Sequence, residues 1–155
     1  MTRTLRGFLA PEDVHLDVAA SCKRSVLERL SELVAAKYGC PAGDVLTRLL
    51  QREGLGSTGV GEGVAIPHTR LDIDRLSGML LRLKKPVSFD AVDGAPVDVV
   101  FLLLAPESDS AGHLKALSRV ARTFRQHGVL DAVRGAADAD AAFAAVVAES
   151  DAEAA

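Results

Sequence analysis

Apolar residues recur along the chain in two rhythms, one helical and one extended. In "SCKRSVLERLSELVAAKYG", Val26, Leu30, Leu33 and Val34 fall at helical spacing, which predicts an amphipathic helix with Ser21 as its N-cap. Gly39 and Pro41 end it, because glycine accepts a left-handed turn and proline cannot continue a helix. A second helix is expected from the cap residue Asp44 through "VLTRLLQRE" to Gly54. "SGMLLRL" and "VDVVFLLLA" read as strands, and the almost unbroken apolar character of the second predicts burial on both faces. After the polar loop "PESDSAG", a helix is expected to open at His113, with Leu114, Leu117, Val120, Ala121 and Phe124 on one side. A short helix near "VLDAVRG" and an Ala-rich one from Asp138 to about Ala148 follow, and residues 151–155 are expected to fray.

Between the second helix and the first strand the pattern breaks. "GLGSTGVGEGVAIPH" holds too much glycine for a helix, though Val60, Val64 and Ile66 suggest short extended pieces. "KKPVSFDAVDGAP" is likewise punctuated, and should contain a strand end and a turn. No internal repeat and no long linker divides the chain, so residues 1–150 are expected to form one α/β-layered domain. A length of 155 residues suffices for a single substantial core.

Composition narrows the function classes. Lys and Arg number 18 against 21 acidic residues, a formal charge of −3, which argues against a dedicated nucleic-acid binder. No apolar run approaches the ~20 residues of a membrane span. The start lacks the apolar stretch and cleavage site of a signal peptide, and a cytoplasmic protein is expected. Cys22 and Cys40 lie in no metal-like spacing and read as small, buried, reduced thiols.

Within this ordinary composition, "GVGEGVAIPHTR" places an ionisable ring directly after a proline. Pro67 restricts its own φ and biases Ile66 to extended geometry, which fixes the direction of His68. Backbone N–H groups of a glycine-rich loop can converge on an anion. Neutral imidazole, with an unperturbed pKa near ~6.5, has a nucleophilic nitrogen at cytosolic pH and can take a phosphoryl group without a separate base. Three cationic candidates could stabilise the product: Arg52 at the end of the second helix, His113 at an expected helix N-terminus, and Arg70 two residues beyond His68. The hydroxyls of Ser57 and Thr58 could donate as well. Each signal alone is also met by a structural role, since single histidines, glycine loops and helix-terminal arginines are common in purely structural settings.

Taken together, "EGLGSTGVGEGVAIPH" resembles the phosphorylation-site signature of the fructose/mannitol-class IIA domains of the phosphoenolpyruvate-dependent phosphotransferase system. Glu53, Val60, Gly61, Val64, Ala65, Ile66, Pro67 and His68 meet that signature in register, whereas Thr69 stands where a smaller residue is usual. "TRLLQREGLGSTG", "VSFDAVDGAPVDVVFLLLAP" and "HLKALSRVAR" are similar to blocks of the stand-alone nitrogen-regulatory members, over roughly residues 5 to 148. The resemblance implies a three-layer α/β/α sandwich around a mixed sheet, with no metal and no organic cofactor. It implies His68 as phosphoacceptor, with Nε2 the modified atom, His113 as a second active-site histidine and Arg52 as the basic residue near the phosphate. The implied donor is a histidine phosphocarrier protein, and the implied targets are regulatory proteins that distinguish the phosphorylated form. Because no transporter domain is attached, regulation is expected. The alternatives are a soluble IIA subunit passing phosphate to a IIB domain, and a non-catalytic binding module. His15 and His127 are expected at the surface or in local structure. Lys115, Arg119 and Arg122 form a cationic stripe on one helix face.

Overall fold

The apolar run "VDVVFLLLA" forms the middle of the molecule. In the computed structural model, which describes residues 4–154, the strands are β1 (Val14–Val18), β2 (Gly59–Gly61), β3 (Val64–Ala65), β4 (His68–Leu71), β5 (Ser77–Val87) and β6 (Val97–Pro106). The helices are α1 (Lys23–Tyr38), α2 (Ala42–Gly54), α3 (Ser110–Phe124), α4 (His127–Gly135) and α5 (Ala139–Ala154), preceded by short 3-10 turns at Leu5–Gly7 and Pro11–Asp13.

Strand order is β1-β5-β6-β3-β2, with β4 also paired to β6. β6 runs antiparallel to β5 but parallel to both β3 and β4, so the sheet is mixed, as expected. Every residue from Val99 to Ala105 is fully buried, because side chains on both faces of β6 meet helices. Val99, Phe101 and Leu103 pack with Val120 and Phe124 of α3, Leu130 of α4 and Val146 of α5. Val100, Leu102 and Leu104 turn the other way, onto Val26 and Leu30 of α1 and Val45 and Leu49 of α2. Two cores flank one sheet, which gives the three-layer α/β/α sandwich. Full burial of each such side chain stabilises the fold by roughly 1.5–3 kcal/mol.

Helix ends depart from the sequence reading where side chains offer more than one cap. α1 is capped by Cys22, not Ser21: the Ser25 hydroxyl oxygen accepts the N–H groups of Ser21 and Cys22 at 2.9 and 3.0 Å. Gly39 does end the helix, at φ 73°. α2 starts directly after Pro41, so Asp44 lies in its first turn, where a carboxylate favours the helix dipole without capping. α3 starts at Ser110 because Asp109 caps it, accepting the Gly112 N–H at 2.9 Å. His113 therefore sits on the first turn of α3 and not at its start.

Long-range contacts account for the remaining differences. α5 continues past Ala148, the helix end expected from the sequence, to Ala154: the buried Ser150 hydroxyl accepts the Leu5 N–H at 2.9 Å, and Asp151 pairs with Arg6 at 3.0 Å. Ala155 lies outside the described residues. β1 was not anticipated; it is a short edge strand paired in parallel with β5, and its register shifts between His15 and Val18. Arg119 does not belong to an exposed stripe, since it is 6% exposed on the same side of α3 as Ala116, Val120 and Thr123, leaving only Lys115 and Arg122 to solvent. Both thiols are free, but Cys22 is exposed at the start of α1 and is not a core residue. His15 is half-buried in β1, and His127 is exposed at the start of α4.

Candidate functional site

β3 and β4 are successive short strands along the same side of β6, interrupted at Ile66 and Pro67. Proline lacks the N–H that would continue the ladder, but its carbonyl still accepts the Leu103 N–H at 2.9 Å. The chain is thereby held against β6 on both sides of the interruption, and His68 opens β4 in register with Leu103. The His68 ring turns back so that Nδ1 lies 2.9 Å from the Ile66 carbonyl oxygen. A carbonyl only accepts, so Nδ1 carries the proton and Nε2 keeps its lone pair.

Two further elements converge on that nitrogen. Arg52, in the last turn of α2, donates its Nε–H to His68 Nε2 at 3.2 Å, while its Nη1 donates to the Gly56 carbonyl at 2.8 Å. His113 from α3 approaches edge-on, its ring centroid 5.4 Å from that of His68 and its plane inclined by 72°. His113 Nε2 is buried and has no hydrogen-bond partner among the described residues. Such an orphaned polar atom in a half-buried site marks a position for a polar group that arrives later.

Burial foremost pushes His68 below the ordinary histidine pKa; Arg52 lowers it further, while the Ile66 hydrogen bond and the Glu53 carboxylate pull it back. Burial also lowers His113, assisted by His68 and Arg70 and opposed by Asp109. Both shifts favour the neutral form of the rings. Arg70 lies two residues along β4 from His68 and so on the same face. Its Nη1 donates to the Ser110 hydroxyl at 2.9 Å, and its carbonyl accepts from Arg48, which also pairs with Glu107 at 2.9 Å.

The polar groups of the glycine-rich loop are engaged by neighbouring segments and by the loop itself. The Thr58 N–H and hydroxyl both donate to Glu53, the Ser57 hydroxyl donates to the Phe89 carbonyl, and the Gly59 N–H donates back to Ser57. The Gly56 N–H is taken by the Glu53 carbonyl. The polar groups of Ser57 and Thr58 thus hold the loop's own shape, which local sequence could not reveal because Phe89 lies 32 residues away. The Glu53 carboxylate, only 5% exposed, is also paired with Lys23 of α1 at 3.0 Å. Sequence reasoning missed this pair, although a lysine opening a helix, where its charge opposes the dipole, was a legible signal.

Two large apolar residues close in sequence to site residues are exposed. Leu55, three residues beyond Arg52, is 85% exposed, and Leu114, beside His113, is 69% exposed. Leu114 was expected in the core; Ala116, Val120 and Phe124 occupy that side of α3 and turn Leu114 outward. Among the described residues, no three His, Cys, Asp or Glu side chains are grouped as a metal site, and no helix is long and apolar enough to cross a membrane.

A family model described as "Phosphoenolpyruvate-dependent sugar phosphotransferase system, EIIA 2" matches residues 7–148. A nitrogen regulatory protein of Bradyrhizobium diazoefficiens is 43% identical over 140 residues, covering 90% of this chain and 92% of the relative. One from Pseudomonas aeruginosa is 40% identical over 145 residues, covering 92% and 94%. The crystal structure of nitrogen regulatory protein IIA-Ntr from Neisseria meningitidis superposes with a TM-score of 0.86 at 34% identity, over 92% of this chain and 98% of that one. The match runs through both cores and through the β3–β4 segment that carries His68, and the chain belongs to the EIIA 2 family of the phosphoenolpyruvate-dependent sugar phosphotransferase system.

Proposed function

We propose that this chain is a cytoplasmic phosphoryl carrier of the nitrogen-regulatory type, which accepts a phosphoryl group on His68 Nε2 from a phosphohistidine of a small phosphocarrier protein. The observation that carries this reading is the geometry at Nε2: its lone pair is set by the Ile66 carbonyl, and Arg52 and the unpartnered Nε2 of His113 stand beside it. Its relatives from Bradyrhizobium and Pseudomonas, named nitrogen regulatory proteins, support the regulatory assignment.

In the transfer, the N–P bond of the donor breaks and a new N–P bond forms at His68 Nε2. The donor ring departs neutral with its lone pair restored. The His68 Nδ1 proton stays in place, so positive charge that builds on the ring is met by the Ile66 carbonyl oxygen. Arg52 exchanges its bond to Nε2 for bonds to the phosphoryl oxygens, and His113 Nε2 gains the partner it lacks. Charge-assisted hydrogen bonds of this kind are roughly twice as strong as neutral ones, and they act without reorganisation when aimed in advance. Arg70 adds positive potential at the same mouth.

Exposed Leu55 and Leu114 suit a protein donor better than a small phosphorylated metabolite, since apolar area of this kind is buried on protein docking. Regulatory partners would then read the change of charge at that face.

The test is mass spectrometry after mixing the chain with phosphoenolpyruvate, the first enzyme of the relay and the phosphocarrier. One added phosphoryl group, absent from His68→Ala, is expected; no gain, or equal labelling of His68→Ala, would leave a non-catalytic module. Rapid and complete onward transfer to a IIB domain would replace the regulatory assignment with that of a permease subunit.

A further inference from the structure

Lys23 opens α1, where a cation opposes the helix dipole and is locally disfavoured. Departures from local rules concentrate at functional sites. The side chain leaves its own helix and reaches two other segments, α2 and the β5–β6 loop. Its Nζ lies 3.0 Å from Glu53 Oε2 in α2 and 3.3 Å from Asp90 Oδ2 in the β5–β6 loop, and it stands 5.4 Å from the centroid of the Phe89 ring. The carbonyl of the same Phe89 accepts the Ser57 hydroxyl of the glycine-rich loop.

Glu53 is the hub of this arrangement. A carboxylate 5% exposed is tolerated only when paired and hydrogen-bonded, and Lys23 and Thr58 supply those partners. Holding Thr58 fixes the turn that presents the Gly56 carbonyl, and that carbonyl fixes one arm of Arg52 while the other arm contacts His68. A continuous path of polar contacts therefore runs from Lys23 through Glu53 and the loop to Arg52 and the reacting nitrogen.

Charge follows the same path. The charged groups acting on His68 are Arg52 and Glu53 from α2; His68 itself, Arg70 and Asp109 act on the neighbouring His113 of α3. Glu53 is the acidic member beside His68, and it would repel an arriving phosphoryl group unless a cation offset it.

We infer that Lys23 is a positioning residue for phosphoryl transfer: through Glu53 it holds the glycine-rich loop and Arg52 in receiving geometry and cancels the one adverse charge beside His68. The inference rests on the phosphoryl-carrier reading above.

The experiment measures phosphorylation of the full chain by the phosphocarrier, at varied carrier concentration, in Lys23→Met, Lys23→Arg, Glu53→Gln and the double variant Lys23→Met/Glu53→Gln. Lys23→Met is expected to lower kcat by about tenfold with KM unchanged, since small misplacements of a positioned group cost rate. Lys23→Arg should restore most of it. The double variant should be no slower than Glu53→Gln alone, because the lysine acts through that carboxylate. NMR titration should show the His68 ring protonating at higher pH in Lys23→Met, where Glu53 is left uncompensated and favours the imidazolium. Should Lys23→Met fail to fold, Lys23→Gln, which keeps a neutral donor to Glu53, carries the same expectations. A wild-type kcat in the unpaired variant, an equal loss in the Glu53→Gln background, or no rescue by arginine would overturn the inference while the wild type still labels. Failure of the wild type to label would instead remove the carrier reading on which it stands.

Discussion

The Nε–H of Arg52 donates to Nε2 of His68 at 3.2 Å, joining the last turn of α2 to the first residue of β4. The bond places a permanent cation on the one ring nitrogen that has a free lone pair. It resembles the contact an acceptor needs after modification more than one it needs before, since a guanidinium matches phosphoryl oxygens better than an imidazole. The recess is thus arranged for the product.

Replacing Arg52 should consequently affect transfer more than docking. Arg52→Gln is expected to lower kcat by roughly 10²-fold, the size of effect seen on removing a donor aimed at developing charge. KM for the phosphocarrier should change little. Arg52→Lys should recover only part of the rate, because one ammonium cannot hold the Gly56 carbonyl and face His68 at once. Stopped mixing with the phosphorylated carrier, followed by intact-mass readout, measures both parameters.

His113 is expected to assist and not to receive. His113→Ala should slow transfer by about 10- to 100-fold and shorten the life of the phosphorylated form, with the label still on His68. Tandem mass spectrometry under alkaline conditions locates the label; its appearance on His113 in the wild type would reverse the two roles.

pH dependence follows from the lowered pKa values of both rings. Burial is the leading cause for each, so the neutral, nucleophilic form of His68 persists below the ordinary histidine value of ~6.5. The transfer rate should stay level from pH 8 to below that value and fall only as the folded ring protonates. Stability moves with the same sign. As pH drops, the unfolded chain takes up these protons first, so stability is full above ~6.5 and declines below it. Melting temperature plotted from pH 7 to 5 should fall less steeply in His68→Gln.

Gly59 tests the framework beneath the site. A Cβ built there would lie 2.8 Å from Ala91 Cβ and 3.0 Å from Ala91 Cα, so the β5–β6 loop would have to retreat from β2. Gly59→Ala should destabilise by about 1–3 kcal/mol, the usual cost of overpacking, measurable as a lower urea midpoint at unchanged slope.

The exposed leucines should separate docking from folding. Leu114→Ser is expected to leave the urea midpoint nearly unchanged, as surface substitutions do, yet to raise KM for the phosphocarrier by roughly 5- to 30-fold if the leucine anchors the complex. An unchanged KM would place the donor elsewhere.

Much of this architecture follows from the chain alone. The run Val97–Ala105, apolar except at Asp98, read as a doubly covered strand, and the helical rhythm of α1 placed Val26, Leu30 and Val34 in the core, because apolar periodicity is local and burial follows it. The segment ending in Pro67 and His68 was legible for a similar reason: proline and glycine fix backbone directions through their own geometry. Tertiary structure decided everything that depended on a distant partner. Leu114 and Arg119 exchanged their expected surroundings because three core-facing residues of α3 set its rotation. The Ser57 and Thr58 hydroxyls meet the Phe89 carbonyl and the Glu53 carboxylate, partners that the local pattern did not name. α5 kept its last turn because Leu5 and Arg6 reach it across the whole length of the chain. Sequence determines the pattern of burial through short-range periodicity; which polar group meets which is settled only when segments far apart in the chain close around a shared site.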